Sequence, residues 1–260
     1  MPYFDAPLPH RLAHRGATDG GRLDENTLPA FALALDQGAT HIETDVRVSA
    51  DGIAVVFHDA DFDRVGSQSG VRGELIERLT IEQIRSVELR AGGRVSSLLE
   101  VLIALPSARF NIDVKSMAAA TATARAVIEA AAADRVLISS FSDSRRLATL
   151  AEFERSGVAL PAAGAGARTS AIALICYWVA RALGRAVARR AVARLLMGVD
   201  ALQVPVRFGP LKVASRGFIA AVRAAGVHVH FWVINDAGTA RSLLERGASG
   251  IVSDDLPAIR

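Results

Sequence analysis

The chain has 260 residues, of which 51% are apolar and 22% are charged, and its formal net charge is only +3. This length and composition suit one α/β barrel domain and exclude disordered and fibrous proteins. The net charge is too small to indicate nucleic-acid binding. The single cysteine, Cys176, cannot form an intramolecular disulfide, which favours a reducing compartment.

The first five residues contain neither the basic nor the apolar stretch of a secretion signal, so we expect a cytoplasmic protein. The longest apolar run, 171–180, ends at Arg181 and has about half the length of a membrane span. The sequence therefore predicts no transmembrane helix.

Short apolar runs alternate with helical patterns along the whole chain, which is typical of βα units around a parallel sheet. Helix starts are marked by Thr27 before Pro29 and by a capping box from Ser97 to Glu100. No glycine-rich phosphate loop follows the first strand, so the pattern predicts a (β/α)8 TIM barrel rather than an open sheet. The predicted strands are 11–14, 41–46, 110–114, 136–140, 158–162, 201–205, 228–233 and 250–253.

Two stretches of the sequence lie outside the βα units that a minimal barrel needs. Asp51 and Gly52 form a strong hairpin signal that predicts an antiparallel return strand over 54–58. The following stretch, 59–96, contains one short helix signal, at Thr80, and predicts an insertion over the barrel rim. We found no linker that divides the chain, so residues 1–260 are predicted to form a single domain.

The second stretch, 169–197, is rich in alanine and arginine. Its spacing predicts a helix that covers the barrel with a solvated arginine face. The rival interpretation, which we favour less, is an amphipathic element that rests on an anionic membrane.

Polar residues are expected to converge where barrel strands end. Glu43 and Asp45 are two residues apart on the second strand and therefore share a face, as do Asp113 and Lys115 on the third. Three carboxylates that meet in this way require a cation, and oxygen ligands suit Mg²⁺ or Ca²⁺.

Two histidines are predicted at the same end of the barrel, His14 at the end of the first strand and His58 at the end of the return strand. Such a pair can act as general base and general acid near neutral pH. Arg15 adds a planar guanidinium that suits phosphate oxygens. Metal, acid, base and arginine together indicate cleavage of a phosphodiester.

The order of these motifs resembles the glycerophosphodiester phosphodiesterase family. The three most specific elements are His14-Arg15-Gly16, Glu43-Thr44-Asp45-Val46 and His58-Asp59. Further matches lie at 25–27, 98–102, 111–115, 140–141, 232–235 and 250–254.

The resemblance implies a barrel with an insertion after the His-Asp element and a defined set of site residues. The implied roles are metal ligation by Glu43, Asp45 and Asp113, catalysis by His14 and His58, and substrate binding by Arg15, Lys115 and Trp232. One position departs from the family: Asp113 stands where glutamate is usual, although sphingomyelinase D-type phospholipases carry Asp-x-Lys there.

Three functions follow from this reading. The first is metal-dependent hydrolysis of small glycerophosphodiesters to sn-glycerol 3-phosphate and an alcohol, in which one histidine, assigned as His14, activates the glycerol 2-hydroxyl and His58 protonates the leaving alcohol. The second is a lysophospholipase D or sphingomyelinase D-like activity on lipid diesters. The third is a catalytically silent barrel that binds phosphorylated ligands. The sequence leaves open the native metal, the head group, the oligomeric state and which histidine is the base.

Overall fold

Eight parallel strands form a nearly closed barrel in the computed structural model, which describes residues 2–67, 71, 73–208 and 211–259. Around the barrel, the strands follow the order β6-β5-β4-β2-β1-β11-β10-β7. The barrel strands are β1 (His10–His14), β2 (His41–Val48), β4 (Phe110–Val114), β5 (Val136–Ser139), β6 (Ala162–Ala163), β7 (Ala201–Val204), β10 (His228–Phe231) and β11 (Gly250–Ser253).

Contacts between β6 and β7 close the barrel. Gly164 forms an isolated parallel bridge with Ala201, and the Ala165 amide donates to the Ala201 carbonyl at 2.9 Å. The predicted return strand is β3 (Ala54–Val56), which pairs antiparallel with β2. The predicted TIM barrel with a hairpin on its second strand is therefore confirmed.

Helices cover the outside of the barrel, and the main core lies between them and the strands. Thr80, Ser97 and Ser215 each cap the helix that follows, as their sequence signals predict. The helices that the described residues form are α1 (Leu28–Asp36), α2 (Ile81–Ser86), α3 (Leu98–Ala104), α4 (Ala119–Glu129), α5 (Asp143–Ser156), α6 (Ala167–Arg181), α7 (Arg185–Leu195), α8 (Arg216–Ala224) and α9 (Ala237–Glu245). None of them combines the length and apolar character needed to cross a membrane.

The stretch 59–96 builds a small apolar core of its own beside β3. Phe57, Phe62, Ile76 and Ile84 are buried together there, apart from the main core. Positions 68–70 and 72 of this stretch lie outside the described residues. The single-domain organisation of residues 1–260 stays a prediction.

The predicted fifth strand, 158–162, is wrong in its bounds, since β6 begins only at Ala162. The Val158 amide donates to the Phe153 carbonyl at 3.2 Å and so completes the cap of α5, whose end is marked by Gly157 in the left-handed region. Pro161 then offers no amide hydrogen to a neighbouring strand. The apolar residues of this segment therefore belong to a helix cap and a loop.

The stretch 169–197 is two helices rather than one. α6 and α7 are separated at Gly184, whose φ of +115° few residues other than glycine adopt. Ala173, Tyr177 and Val192 are buried on the inner side of this pair. The pair therefore packs on the barrel, as the sequence predicted for a single helix.

Four histidines occupy the opposite end of the barrel from His14. His10 and His230 lie 3.2 Å apart through Nδ1 and Nε2, and His41 hydrogen-bonds both Thr40 and the Tyr3 carbonyl. The ring nitrogens of His10, His228 and His230 come within 4.8 Å of one another, a spacing that could hold a metal ion. These contacts join strands that are distant in the chain, so spacing in the sequence gives no signal for them.

Candidate active site

A pocket of about 390 Å³ opens where the barrel strands end, and it contains every side chain to which the sequence assigned a role. The strand register explains this convergence. His14 pairs with Glu43 across β1 and β2, and Asp45 pairs with Asp113 across β2 and β4, so neighbouring strands place these residues side by side. The eight assigned residues that line the pocket are His14, Arg15, Glu43, Asp45, His58, Asp113, Lys115 and Trp232.

The three carboxylates are buried, with Asp45 only 1% exposed. Lys115 connects two of them, because its Nζ lies 2.7 Å from Asp45 Oδ1 and 2.6 Å from Asp113 Oδ2. On the other side of Asp45, Oδ2 accepts from Asn26 Nδ2 at 3.0 Å. Asn26 in turn accepts from Thr44, so Asp45 is held from two directions.

This crowding changes the proton affinities. Burial, together with the charge of Asp45, raises the pKa of Glu43 to about 8. Burial also raises the pKa of Asp113. Burial alone would raise the pKa of Asp45 as well, but the nearby cations of Lys115 and Arg15 outweigh it and lower that pKa. Lys115 and Arg15 thus keep Asp45 ionised, whereas the raised pKa values of Glu43 and Asp113 disfavour their ionisation.

The carboxylates fit a divalent cation. Asp113 Oδ1 is buried and has no hydrogen-bond partner among the described residues. Glu43, Asp45 and Asp113 offer only oxygen atoms, which suit Mg²⁺ or Ca²⁺, whereas the histidine group at the other end of the barrel offers nitrogen. A cation here would offset the mutual repulsion that raises the pKa of Glu43.

His14 lies between two carboxylates. Its Nδ1 is 2.6 Å from Asp254 Oδ1, and its Nε2 is 3.9 Å from Glu43 Oε2. Burial by itself lowers the pKa of His14, but the hydrogen bond to Asp254 and the charge of Glu43 outweigh it and raise that pKa. The same hydrogen bond lowers the pKa of Asp254, so this carboxylate is ionised and can only accept. His14 therefore donates from Nδ1, and Nε2 faces the pocket.

Asp254 is in turn held by Asn235, whose Nδ2 donates to Asp254 Oδ2 at 2.9 Å. The cap of α9 is the next residue, Asp236, which accepts from the Thr239 amide. Asp254 belongs to a segment quoted for the family resemblance, but nothing in the sequence connects it with His14.

His58 has a matching partner in its neighbour, with Nδ1 2.7 Å from Asp59 Oδ1. Asp59 Oδ2 is bound by Arg64 Nε at 2.5 Å, and Arg64 also contacts both carboxylate oxygens of Glu25. Glu25 accepts from Arg15 Nη1 at 3.0 Å. The insertion thereby supplies Arg64 to a chain of ion pairs that runs from His58 to Arg15.

The sequence did not identify Arg64, and it included Glu25 only in the segment 25–27 that resembles the family. Arg64 lies in a loop without periodicity, and its partner Glu25 is 39 positions away in the chain. Burial alone would raise the pKa of Glu25, but the hydrogen bonds from Arg64 and the charge of Arg15 lower it. Glu25 is thus a charged member of the site.

The backbone after β1 turns sharply to bring Arg15 into the pocket. Arg15 has a φ of +58° and Gly16 a φ of +85°. A Cβ atom at Gly16 would lie 2.9 Å from backbone atoms of Ala30. Glycine at this position therefore lets the turn pack against α1.

One wall of the pocket is apolar. Trp232 and Phe141 meet edge to face with ring centroids 5.8 Å apart. Helix α6 adds Ala171 and Leu174, and Val213 follows β9 (Leu211–Lys212), which pairs with β8 (Arg207–Phe208). The pocket therefore joins a charged region that suits a phosphodiester to an apolar region beside it.

The fold and the pocket define an α/β barrel with an acidic and histidine-bearing site at the carboxyl ends of its strands. The family model described as "Glycerophosphoryl diester phosphodiesterase family" matches residues 14–257. The chain belongs to this family.

Curated relatives carry the same designation. A Mycobacterium tuberculosis protein named "Probable glycerophosphodiester phosphodiesterase 2" is 34% identical over 96% of this chain and 88% of its own length. A protein of Caldanaerobacter subterraneus named "Glycerophosphodiester phosphodiesterase" is 36% identical over 40% of this chain and 44% of its own.

Solved structures share the fold. A glycerophosphodiester phosphodiesterase from Agrobacterium tumefaciens superposes with a TM-score of 0.73 at 22% identity, covering 97% of both chains. A phosphodiesterase from Oleispira antarctica, in complex with the product sn-glycerol-3-phosphate, gives a TM-score of 0.70 at 23% identity, covering 97% of this chain and 95% of its own.

Proposed function

We propose that this protein is a metal-dependent phosphodiesterase that hydrolyses glycerophosphodiesters to sn-glycerol 3-phosphate and an alcohol. The observation that carries the proposal is the convergence of two histidines, three carboxylates and two cations in one pocket. Membership of the glycerophosphoryl diester phosphodiesterase family supports the reaction class, and the product complex of the Oleispira antarctica phosphodiesterase supports the product.

In this proposal Glu43, Asp45 and Asp113 hold a divalent cation, either Mg²⁺ or Ca²⁺. The bound cation supplies positive charge beside the phosphate oxygens and so stabilises the charge that develops during attack at phosphorus. Lys115 and Arg15 add two further positive charges at the same side of the pocket, where they already contact Asp45 at 2.7 and 3.2 Å.

Each histidine is oriented for proton transfer by a carboxylate on Nδ1, Asp254 for His14 and Asp59 for His58. The carboxylates fix the tautomer and leave Nε2 as the atom that can exchange protons with substrate. Asp254 and Asp59 are therefore positioning residues, and His14 and His58 are the catalytic ones.

In the first step His14 Nε2 takes the proton of the glycerol 2-hydroxyl, and that oxygen attacks phosphorus. The bond from phosphorus to the alcohol oxygen breaks, and His58 delivers a proton to the departing oxygen. A cyclic glycerol phosphate results. In the second step His58 takes a proton from water, the water oxygen attacks phosphorus, and His14 returns a proton to the 2-oxygen as the ring opens.

A coupled assay for glycerol 3-phosphate tests this assignment, with glycerophosphocholine as substrate. We expect His14→Ala and His58→Ala each to lower kcat at least about a hundredfold, because general acid and base contributions have that size. Near-parent turnover in both variants would overturn the assignment.

Lipid diesters are a second candidate substrate class, favoured by the apolar wall that α6, Phe141 and Trp232 add to the pocket. Phe141 is 58% exposed, so the apolar region is continuous with the protein surface. Comparison of kcat/KM for lysophosphatidylcholine and glycerophosphocholine decides between the classes: a higher value for the lysolipid supports the lysophospholipase D assignment. A cytoplasmic location stays a prediction, tested by cell fractionation.

A further inference from the structure

The helical hairpin formed by α6 and α7, residues 167–197, leaves an unusual amount of apolar surface uncovered. Leu183 is 76% exposed and Met197 is 78% exposed. Large exposed apolar patches of this kind mark surfaces that contact a protein or a membrane. The exposed apolar residues of the hairpin are Ile172, Ile175, Trp178, Val179, Leu183, Val187, Leu195 and Met197.

The same hairpin concentrates positive charge. It contains six arginines and no aspartate or glutamate, whereas the chain as a whole carries only +3, so the remainder of the chain carries −3. None of the six lies within 4 Å of a carboxylate in the part of the chain that the structure describes. The six exposed arginines are Arg168, Arg181, Arg185, Arg189, Arg190 and Arg194.

The exposed apolar residues of α6 form a stripe. Ile172, Ile175, Val179 and Leu183 recur at intervals of three or four residues, which places them along one side of the helix and its end. Arg168 lies near the start of α6 and Arg181 at its end, and the other four arginines lie on α7. Exposed apolar side chains together with arginines, without acidic residues, are the composition of helices that lie in the interface of an anionic bilayer.

The stripe adjoins the active-site pocket. Ala171 and Leu174 line the pocket, and Ile172 and Ile175 follow each of them by one residue on the exposed side of the same helix. Val233 also lines the pocket and is exposed at its rim. The pocket wall and the uncovered apolar surface are therefore neighbouring faces of one helix.

We propose that the α6–α7 hairpin is a docking surface for an anionic lipid membrane. A second copy of the chain fits less well, because a two-fold contact through this hairpin would bring its six positive charges against the same six. An anionic bilayer accepts both features at once, since its lipids attract the arginines and its acyl region covers the apolar stripe.

Docking through this surface would place the pocket wall formed by α6 beside the lipid headgroups. This consequence for substrate access rests on the proposed function, whereas membrane binding itself does not. Membrane binding and hydrolysis are therefore tested by separate measurements.

Sedimentation with vesicles tests the docking surface, using the full chain and phosphatidylcholine vesicles with or without phosphatidylglycerol. We expect the protein to sediment with the anionic vesicles at low salt, to remain in solution with pure phosphatidylcholine, and to be released as salt rises. Parent protein that stays in solution with anionic vesicles at low salt would overturn the proposal.

Two charge-matched triple variants locate the surface. Arg185→Glu, Arg189→Glu and Arg190→Glu together should lower the partition coefficient at least about a hundredfold, because each basic residue near an anionic surface contributes roughly fivefold and the three contributions multiply. The control replaces three exposed arginines outside the hairpin, at positions 78, 125 and 241, with glutamate. Equal loss of binding in the two triples would refute the assignment to the hairpin.

An apolar variant provides an independent test. Val179→Ser with Leu183→Ser should weaken vesicle binding while the net charge and the thermal unfolding midpoint stay unchanged, because both side chains are exposed. Light scattering identifies the alternative occupant: a dimer that dissociates in this variant, with no vesicle binding by the parent, would contradict the proposal.

Turnover of glycerophosphocholine without vesicles separates the two proposals. We expect this turnover to be unchanged in the Val179 and Leu183 variant. Vesicle binding without hydrolysis of any diester would refute the proposed function and leave the docking surface intact. Hydrolysis of a diester without vesicle binding would refute the docking surface and leave the proposed function intact.

Discussion

His14 and Asp254 are joined by a 2.6 Å contact between His14 Nδ1 and Asp254 Oδ1, although 240 positions separate them in the chain. His14 is the last residue of β1 and Asp254 follows β11, and these strands pair in parallel from His10 with Gly250 onwards. Pairing of the first and last strands therefore creates the carboxylate–histidine pair. This pair sets which nitrogen of His14 faces the pocket.

Asp254→Asn tests that role. An asparagine side chain can donate to Nδ1, which would favour the wrong tautomer of His14 while the shape of the site is kept. We expect kcat to fall by about a hundredfold or more and KM to change little. Asp255→Asn is the matched control, since Asp255 contacts the Ala258 amide instead. A parent-like kcat for Asp254→Asn would contradict the positioning role.

Arg64→Ala tests the contribution of the insertion to the site. Loss of Arg64 removes the partner that Asp59 and Glu25 share, so His58 should be held less firmly. We expect kcat to fall about tenfold or more, since partners behind a functional residue commonly contribute that much. Arg78→Ala, an exposed position in the same insertion, should leave kcat unchanged. If both variants behave alike, Arg64 does not act through His58.

Gly16→Ala tests the turn that carries Arg15. The new Cβ would meet the Ala30 backbone at 2.9 Å and would also occupy a φ of +85°. Gly52→Ala is the matched control, because Gly52 has a φ of +80° but no atom within 4 Å of the added Cβ. We expect Gly52→Ala to lower the free energy of unfolding by about 1 kcal/mol and Gly16→Ala to lower it by more. If urea denaturation shows that both variants lose the same free energy of unfolding, the Ala30 backbone moves to accommodate the new Cβ.

The histidines at the far end of the barrel predict acid sensitivity of the fold. Burial lowers the pKa of His10 to about 4, that of His41 to about 3 and that of His228 to about 4, and it lowers the pKa of His230 as well. An unfolded histidine titrates near 6.5. Between pH 6.5 and about 4 the unfolded chain therefore binds more protons than the folded one, and stability falls as the pH falls through this range.

Urea midpoints at pH 7.5, 6.5, 5.5 and 4.5 check this prediction. Glu43 acts in the opposite sense, because its raised pKa makes the folded state bind the extra proton between its ordinary value of 4.5 and about 8. Asp113, whose pKa burial also raises, acts in the same sense as Glu43, and His14 does so above pH 6.5. Below pH 6.5 two carboxyl groups thus oppose four histidines, so the midpoint should still decline there. A midpoint that is constant or rises from pH 6.5 to 4.5 would contradict the account.

Sequence patterns could predict the barrel and the assigned residues of its pocket because both depend on local periodicity. Glu43 and Asp45 share a face by alternation along one strand, and parallel register then brings them beside Asp113. The same patterns misplaced the fifth strand, since the cap at Val158 depends on the end of the preceding helix.

Partners of the catalytic groups were beyond the reach of such patterns. Asp254 contacts His14 only because the first and last strands pair, and Arg64 reaches Glu25, 39 positions away, from a loop without periodicity. Spacing in a sequence carries no signal for contacts of this kind. The sequence therefore predicted which residues form the site but not the contacts that orient their side chains.

Phosphorus NMR of glycerophosphocholine incubated with the protein tests the central claim, that the pocket is a metal-dependent phosphodiesterase site. We predict that the substrate signal is replaced by that of glycerol 3-phosphate, that thorough chelation stops this conversion, and that Mg²⁺ or Ca²⁺ restores it. No restoration is expected in Glu43→Gln, which keeps the shape of the site but removes a charged oxygen ligand. Conversion that continues unchanged after chelation, or no conversion by the metal-supplied parent, would contradict the account.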